Sequence, residues 1–542
     1  MGDKNQITKR KLTGGMLLFT ASFLLYSLAS PGNLPGDTEI RWSVARQIVR
    51  NKGLSIEDTV RTRNFAIGID GKCHSLWNLG QSLCLLPFAA IGLALEKFTP
   101  VSPDVADLTA QFLASTILFP AIGAMAVLVF YRLVLLLGYN KKAAIFSSAV
   151  LAFATMNFHY SVVTHEQSQI ALLLLIMILL MVRNMQKPGF LDVWLLCAVL
   201  GFCLLFRLTS LVMVLPIYLV AAGAEVFASQ TTAKLKVVGK WLAAGFLGTS
   251  GFVAVIAWYN YVRFGSVFET GHGLATITTM AGHGLFESPP LPTLAAMLFS
   301  PGKSIILYNP VLLLLPVCVY GFYCRHKVVA LATTAAIVAN FVFNSFYTTW
   351  AGDYAWSVRF QAPVLPFLIL PLVVLFNRPL RALARTVVIS VIVVSIVIQL
   401  ASVVYNFNLE FVQNPNHHLI PGDYVWDWSQ SHLRKRFENI VKHVAGKRDF
   451  SSVKVTDEEP MLLKYNHSEQ SVRITYCVNF FPFKARSMLP STELFYPLLC
   501  IWLVLLVGFC VVVFKLFQFY IGQKTENSTL QVNIPSGVER FS

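Results

Sequence analysis

Residues 31–47 read PGNLPGDTEIRWSVARQ and follow directly on an apolar run over residues 12–29. Two carboxylates, Asp37 and Glu39, therefore stand where a segment of membrane-spanning character ends and an amphipathic run begins. Pro35-Gly36 is turn chemistry, and Asp37 after it suits the N-cap of a helix over 38–50. Spaced two apart, Asp37 and Glu39 diverge in a strand and lie about 200° apart on a helix, so only one of them is expected to face a pocket. An acid in this place is either a helix cap or a base at the membrane surface. From these residues alone the two readings stand level.

The rest of the chain supports the membrane context. Of its 542 residues, 55% are hydrophobic and 13% charged, and the mean hydropathy is +0.61. Soluble domains carry about a quarter charged residues, so the composition indicates an all-α polytopic membrane protein. The formal net charge of +16 then belongs in cytoplasmic loops, and no nucleic-acid partner is expected. The nine cysteines are scattered, with Cys84, Cys197, Cys203, Cys318 and Cys510 inside apolar runs. No CxxC or Cys/His spacing points to zinc or to a disulfide framework. Only Cys73 and Cys477 fall in polar, exposed-looking stretches, where a bridge between them is one alternative.

Charge sets the topology. Lys4, Lys9, Arg10 and Lys11 precede the first apolar run and no small-residue cleavage site follows it, which reads as an uncleaved span with a cytoplasmic N-terminus. The stretch 76–95 is long enough to cross, yet crossing would turn Lys141, Lys142 and every later basic loop outward. Laid along the outer interface, it leaves Arg183/Lys187, Lys234/Lys236/Lys240, Arg325/Lys327 and Arg378/Arg381/Arg385 all inside. This register predicts about twelve spans, both termini cytoplasmic, in the inner (plasma) membrane. Residues 1–405 then form a transmembrane domain whose first periplasmic loop, 31–107, carries juxtamembrane helices. Residues 406–492 form a small α/β extracytoplasmic segment, with one strand suggested by the alternation in SVRITYCVNF. Residues 493–516 are the last span, and the polar tail 517–542 reads as cytoplasmic and disordered.

Polar groups recur at the outer ends of these spans. His165 and Glu166 follow NFHYSVVT, as either an interfacial turn or a working pair. Arg207 lies between two apolar half-runs with no acid near it in sequence, where snorkelling is the bland alternative. The segment NYVRFGSVFETGHG contributes Tyr261, Arg263, Glu269 and His272. In SPGKSIILYNP, a turn at Ser300-Pro301-Gly302 presents Lys303 and backbone N–H groups suited to a phosphate, although no P-loop is present. TTWAGDYAWSVRFQAP places Trp350, Asp353, Tyr354, Trp356 and Arg359 in a further outer loop. The aromatics there suit an interfacial belt. The planar fork of Arg359 suits either a phosphate or Asp353.

Seven pieces in order, GDTEIRWSVARQI, HSLWNLGQSLCLLPFAAIG, the acid at Glu166, FRLTSLVMVLP, YNYVRFGSVFETGHG, LFSPGKSIILYNPVLLL and WAGDYAWSVRFQAPVLP, resemble bacterial glycosyltransferases of the GT-C superfamily. These include the protein mannosyltransferases and the lipid A aminoarabinose transferase, which use polyprenyl-phosphate sugars. The resemblance covers residues 13–370. It implies a GT-C-like fold and a juxtamembrane helix at 76–95. It also implies a polyprenyl-phosphate-linked sugar as donor and a glycan, lipid or protein as acceptor, beside the lipid bilayer. By the same resemblance Asp37, with Glu39 beside it, is the catalytic carboxylate. Arg207, Lys303 and Arg359 hold the donor phosphate, and His165, Glu166, Tyr261, Arg263, Glu269, His272 and Tyr354 line the cavity. A divalent cation such as Mg²⁺ between Asp37, Glu166 and phosphate is compatible with this set, and none is required. The chain departs from these relatives in carrying Thr38 between its acids and Asp353 where many have glycine. A flippase or transporter of lipid-linked sugar is the alternative, but neither matching halves nor mid-membrane polar breaks are visible. A non-catalytic assembly scaffold is a third.

Overall fold

The structure is a computed structural model, and it describes residues 2–57, 65–274, 284–352, 355–377, 379–406, 409–412, 423–446, 478–488 and 494–532. It is helical almost throughout. Among the described residues nine helices are long and apolar enough to cross a membrane, and shorter apolar helices at Gly14–Ala29, Phe190–Phe206 and Pro310–Arg325 continue the series. Helices of this length reach across about 30 Å of hydrocarbon at 1.5 Å per residue, with every backbone group paired inside its own segment. The chain is an all-α polytopic membrane protein.

Burial sorts these helices into a centre and a periphery. The segments Gln167–Gln186 and Arg359–Phe376 are 67% and 78% buried, whereas Leu208–Ala228 and Phe495–Tyr520 are 22% and 0% buried. Phe227 and Val504 on these peripheral segments, and Leu242 and Phe246 on the likewise 22% buried Thr231–Phe264 segment, are exposed. Apolar surface of this extent would drive association in water; against lipid tails it costs nothing.

Where a helix breaks at depth, a neighbour supplies the missing hydrogen bonds. Helix α6 (Lys141–Phe153) stops before α7 (Asn157–Val162), and the N–H of Met156 between them donates to Asn309 Oδ1 at 2.6 Å. The unwound stretch at Asn309 is held in turn by the Ala382–Val404 helix: Val311 N–H donates to Ser395 Oγ at 2.9 Å, and Gln399 Nε2 donates to Tyr308 O at 2.6 Å. Irregular backbone is tolerated in a membrane domain only under such cover.

A second layer precedes and flanks the central helices. After α1 (Gly2–Ala29) come α2 (Asp37–Val49), the antiparallel pair β1 (Phe65–Ile67) and β2 (Cys73–Ser75), α3 (Gly80–Phe98) and α4 (Pro103–Leu113). α3 is itself apolar enough to cross, yet it packs chiefly on α2 and α4. Its first residue, Gly80, abuts backbone at the end of α9 (Phe190–Phe206): a Cβ there would lie 2.7 Å from Leu205 O. α4 runs through a π-turn at Ala114–Leu118 into α5 (Phe119–Leu136).

Toward the C-terminus two stretches are described in part. The described parts of 406–492 are helical, with Leu409–Val412, His432–Val444 and Phe481–Met488; most of SVRITYCVNF, and Cys477, lie outside the described residues. Within that stretch Val478 forms an isolated antiparallel bridge with Tyr405. The last helix runs Phe495–Val532, well into the stretch expected to be disordered. Its polar continuation, GQKTENSTLQV, has no proline to stop a helix until Pro535.

The most extensive contact between spans among the described residues joins α9 to α11 (Lys234–Phe264), which follows α10 (Leu211–Ala228), and small residues there let two backbones approach. A Cβ on Gly248 would stand 2.7 Å from Cys197 Cβ and 2.8 Å from Ala198 N. Gly248→Val is therefore expected to push α11 off α9 and cost about 1–3 kcal/mol, read as a lower unfolding midpoint in detergent; an unchanged midpoint would show that the two helices yield freely.

Candidate functional site

Gly36 supplies the turn that aims the first acid. Its φ of +63° precedes α2, and it occupies the cap position without any side-chain cap bond. Asp37 is thus the first residue of α2 and not its cap. Its Oδ2 accepts from Arg359 Nη2 at 3.2 Å, in a pair that is 12% and 9% exposed. Glu39, one residue beyond Thr38, is exposed. Asp353, the other partner considered for Arg359, lies outside the described residues together with Tyr354.

Thr38, Arg41, Trp42 and Ala45 form one buried stripe of α2, at the spacing of a helix face. Thr38 Oγ1 donates to Thr164 O, and Gln81 Nε2 from α3 donates to the same carbonyl at 2.8 Å. These two bonds hold the short loop between α7 and α8 (Gln167–Gln186), and that loop carries His165 and Glu166.

Glu166 is 1% exposed and lies between two guanidinium groups. Arg41 Nη2 stands 2.9 Å from Oε2, and Arg207 Nη1 stands 3.5 Å from Oε1. Burial alone would raise the Glu166 carboxyl, but Arg41, Arg207 and Arg359 outweigh it and hold the group well below the usual carboxylate range. His165 is pushed down to about 4, first by burial and then by the charge of Arg359. His272 is pushed down to about 4 by burial and the charge of Arg207.

Aromatic rings orient the cations. Phe360 has Arg207 4.5 Å from its centroid and Arg359 5.2 Å from it. Arg41 lies 4.9 Å from Trp77, whose ring meets His272 edge-on at 5.9 Å. The result is a compact cluster of three arginines and two carboxylates, one positive charge in excess. Arg207 closes α9, Glu166 precedes α8, Arg359 opens the Arg359–Phe376 segment and Asp37 opens α2, so the cluster lies where spans end.

Other expected site residues lie in these surroundings. Lys303 is 1% exposed, and its Nζ donates to Ala355 O at 2.6 Å, bracing the loop that leads into Trp356 and Arg359. The turn before it is also engaged, since Gly302 N–H donates to Val425 O at 2.9 Å. Arg263 is fully buried; it donates to Ser75 O at the end of β2 and, through Nη2, to Asn260 Oδ1 at 2.9 Å. Glu269 Oε1 accepts from Gly271 N–H at 2.6 Å in its own loop, and Tyr261 is exposed. Sequence reasoning passed over Arg41, Trp77 and Phe360. Arg41 was within reach, since it lies four residues after Asp37 and three after Thr38 on the same turn-repeat of α2.

Among the described residues no three His, Cys, Asp or Glu side chains converge on a common point that would hold a metal ion. Both carboxylates of the cluster face guanidinium groups. These residues accordingly form an anion-facing set rather than a cation cage.

No protein-family model matches the chain, and no curated protein matches its sequence. Solved structures similar to this chain include two. One is ArnT from Cupriavidus metallidurans bound to undecaprenyl phosphate, at 12% identity and a TM-score of 0.45, covering 98% of this chain and 83% of that one. The other is the Archaeoglobus fulgidus oligosaccharyltransferase in its apo form, at 11% identity and a TM-score of 0.42, covering 82% of this chain and 61% of that one.

Two outcomes follow from the cluster. Glu166→Gln leaves Arg41 and Arg207 without their anion and should cost about 3–5 kcal/mol, whereas Arg207→Gln, at a longer and partly exposed pair, should cost less; unfolding midpoints in detergent distinguish them, and equal losses would contradict the geometry. His165 is held neutral in the folded chain, so the stability it contributes is complete above its ordinary value and fades as pH falls from about 6.5 toward 4. His165→Gln should flatten that part of the stability profile; a variant as acid-sensitive as wild type would refute it.

Proposed function

We propose that the protein is a membrane glycosyltransferase that moves a sugar from a polyprenyl-phosphate donor to an acceptor hydroxyl at the periplasmic face of the inner membrane. The acceptor class is an envelope glycan, lipid or protein. The observation that carries this reading is the contact of Asp37 with Arg359 beside Arg207. It puts a carboxylate next to a pair of guanidinium groups at the ends of spans. Ionisable groups gathered at a membrane domain's span ends, away from plain solvent, are a functional signature.

In the proposed reaction the acceptor oxygen attacks the anomeric carbon while the bond from that carbon to the phosphate oxygen breaks. The hydroxyl proton passes to the Asp37 carboxylate, and the bonding pair leaves with polyprenyl phosphate. Negative charge grows on the phosphate as the bond lengthens. Arg207 and Arg359, already oriented by Phe360, stabilise it more in the transition state than in the ground state. Glu166 stays with Arg41 and Arg207 and keeps the arginines apart and aimed. One carboxylate and a direct displacement imply inversion at the anomeric centre.

Reconstituted into nanodiscs with polyprenyl-phosphate monosaccharides and an envelope-glycan fraction, the wild-type chain should release free polyprenyl phosphate. Asp37→Asn should lower that rate by about 10²–10⁴-fold while donor binding persists. Undiminished release by Asp37→Asn would remove Asp37 from the reaction, and binding without release by wild type would remove the reaction itself.

A further inference from the structure

The helix His432–Val444, HLRKRFENIVKHV, takes no part in the ion cluster. Its inner face is firmly seated. Arg436 is fully buried, and its Nη1 donates to the carbonyls of Ala401 at 3.1 Å, Ser402 at 2.9 Å and Tyr405 at 3.3 Å. These are the last acceptors of the apolar Ala382–Val404 helix, so Arg436 caps the end of a span. Glu410 compensates its charge through Oε2 at 2.7 Å. Ser431 Oγ donates to Pro301 O at 2.7 Å and Leu433 N–H to Tyr308 Oη at 3.2 Å, fixing the start of the helix to a second segment. A helix fastened to a span's last turn lies at the level where hydrocarbon gives way to headgroups.

Its outer face has the character of that level. Trp428, Leu433, Phe437 and Val441 line a groove of about 550 Å³ with Arg434, Glu438 and Lys442 at its rim. Trp426 and Trp428 are about half exposed and Val441 is 66% exposed. Tryptophans beside apolar side chains are unfavourable in open water and favoured in the interfacial belt. The charges alongside are basic by one: Arg434, Lys435 and Lys442 against Asp427 and Glu438, the last paired with Arg434 at 2.7 Å.

We propose that residues 426–444 form an interfacial anchor that binds anionic phospholipid at the surface of the bilayer the protein spans. Trp426, Trp428 and Val441 enter the boundary between headgroups and acyl chains, and Arg434, Lys435 and Lys442 bind the headgroup phosphates. The anchor also touches the site: the Arg436 guanidinium lies 5.4 Å from the Trp356 ring, three residues before Arg359. Seating on the membrane thus helps hold the loop that carries Arg359. The proposal stands whether or not the chain transfers a sugar.

The test uses the full chain in phosphatidylcholine vesicles carrying a trace of photoreactive phosphatidylglycerol or, in parallel, of photoreactive phosphatidylcholine. Crosslinked peptides are identified by mass spectrometry. Residues 423–446 should be labelled by both probes, and by phosphatidylglycerol at least about threefold more at low salt, a preference that high salt removes. The combined substitutions Arg434→Gln, Lys435→Gln and Lys442→Gln, at two exposed positions and one half-buried one, should abolish the preference while labelling by phosphatidylcholine remains. Equal labelling by the two probes in wild type, or a preference that survives the three substitutions, would overturn the lipid recognition. Absence of label from 423–446 would overturn the anchor altogether.

Discussion

A carboxylate without water around it is stable only if positive charge is brought to it, and Glu166 imposes that requirement on the fold. Isolated in the interior it would cost several kcal/mol and take up a proton. Arg41 reaches it from α2 and Arg207 from the end of α9, so burying one side chain fixes the placement of three segments. The Asp37–Arg359 pair extends the constraint to the start of the Arg359–Phe376 segment, which is among the most buried in the chain. Ion pairs in such surroundings are not a cheap source of stability. They do enforce one arrangement, since any other leaves an unpaired charge.

The neighbouring structure serves this arrangement. The bonds from Thr38 and Gln81 to the Thr164 carbonyl place the His165–Glu166 loop, and Lys303 braces the loop ahead of Arg359 through Ala355. Phe360 lies under two like-charged guanidinium groups at once, a contact that keeps them oriented although they repel. Fixed donors in a place of low dielectric need no reorganisation when negative charge develops nearby, and this makes the cluster suited to a departing phosphate. The same logic explains why the break near Met156 is covered by the Asn309 side chain, and the one at Asn309 by Ser395 and Gln399 of the Ala382–Val404 helix. In a membrane interior, unpaired backbone has no solvent to turn to.

The segment after the Ala382–Val404 helix joins this frame through Arg436. That residue satisfies carbonyls at a span's end, pairs with Glu410, and faces Trp356, which in turn accepts from Tyr160 through its carbonyl at 2.7 Å. Events on the outer face of His432–Val444 therefore have a short physical route to the loop of Arg359. The route consists of packed rings and charge-assisted hydrogen bonds.

The sequence by itself determined the membrane class and most of the helices, because hydropathy over a window of span length is a local property. It also marked Asp37, Glu166, Arg207 and Arg359 as ionisable groups at span ends, where charge is expensive and seldom incidental. What each of them touches was decided only by tertiary structure. Asp37 and Arg359 are 322 residues apart in the chain, and no local rule pairs them. Of the two readings left level at Asp37, the cap position falls to Gly36, and the Asp37 carboxylate meets a guanidinium. Lys303 and Arg263 carry the charge that suits a phosphate, but folding buries them against the Ala355 and Ser75 carbonyls, where they hold loops in place. A side chain's charge is written in the sequence; the partner that satisfies it depends on which helices the membrane and the core bring together.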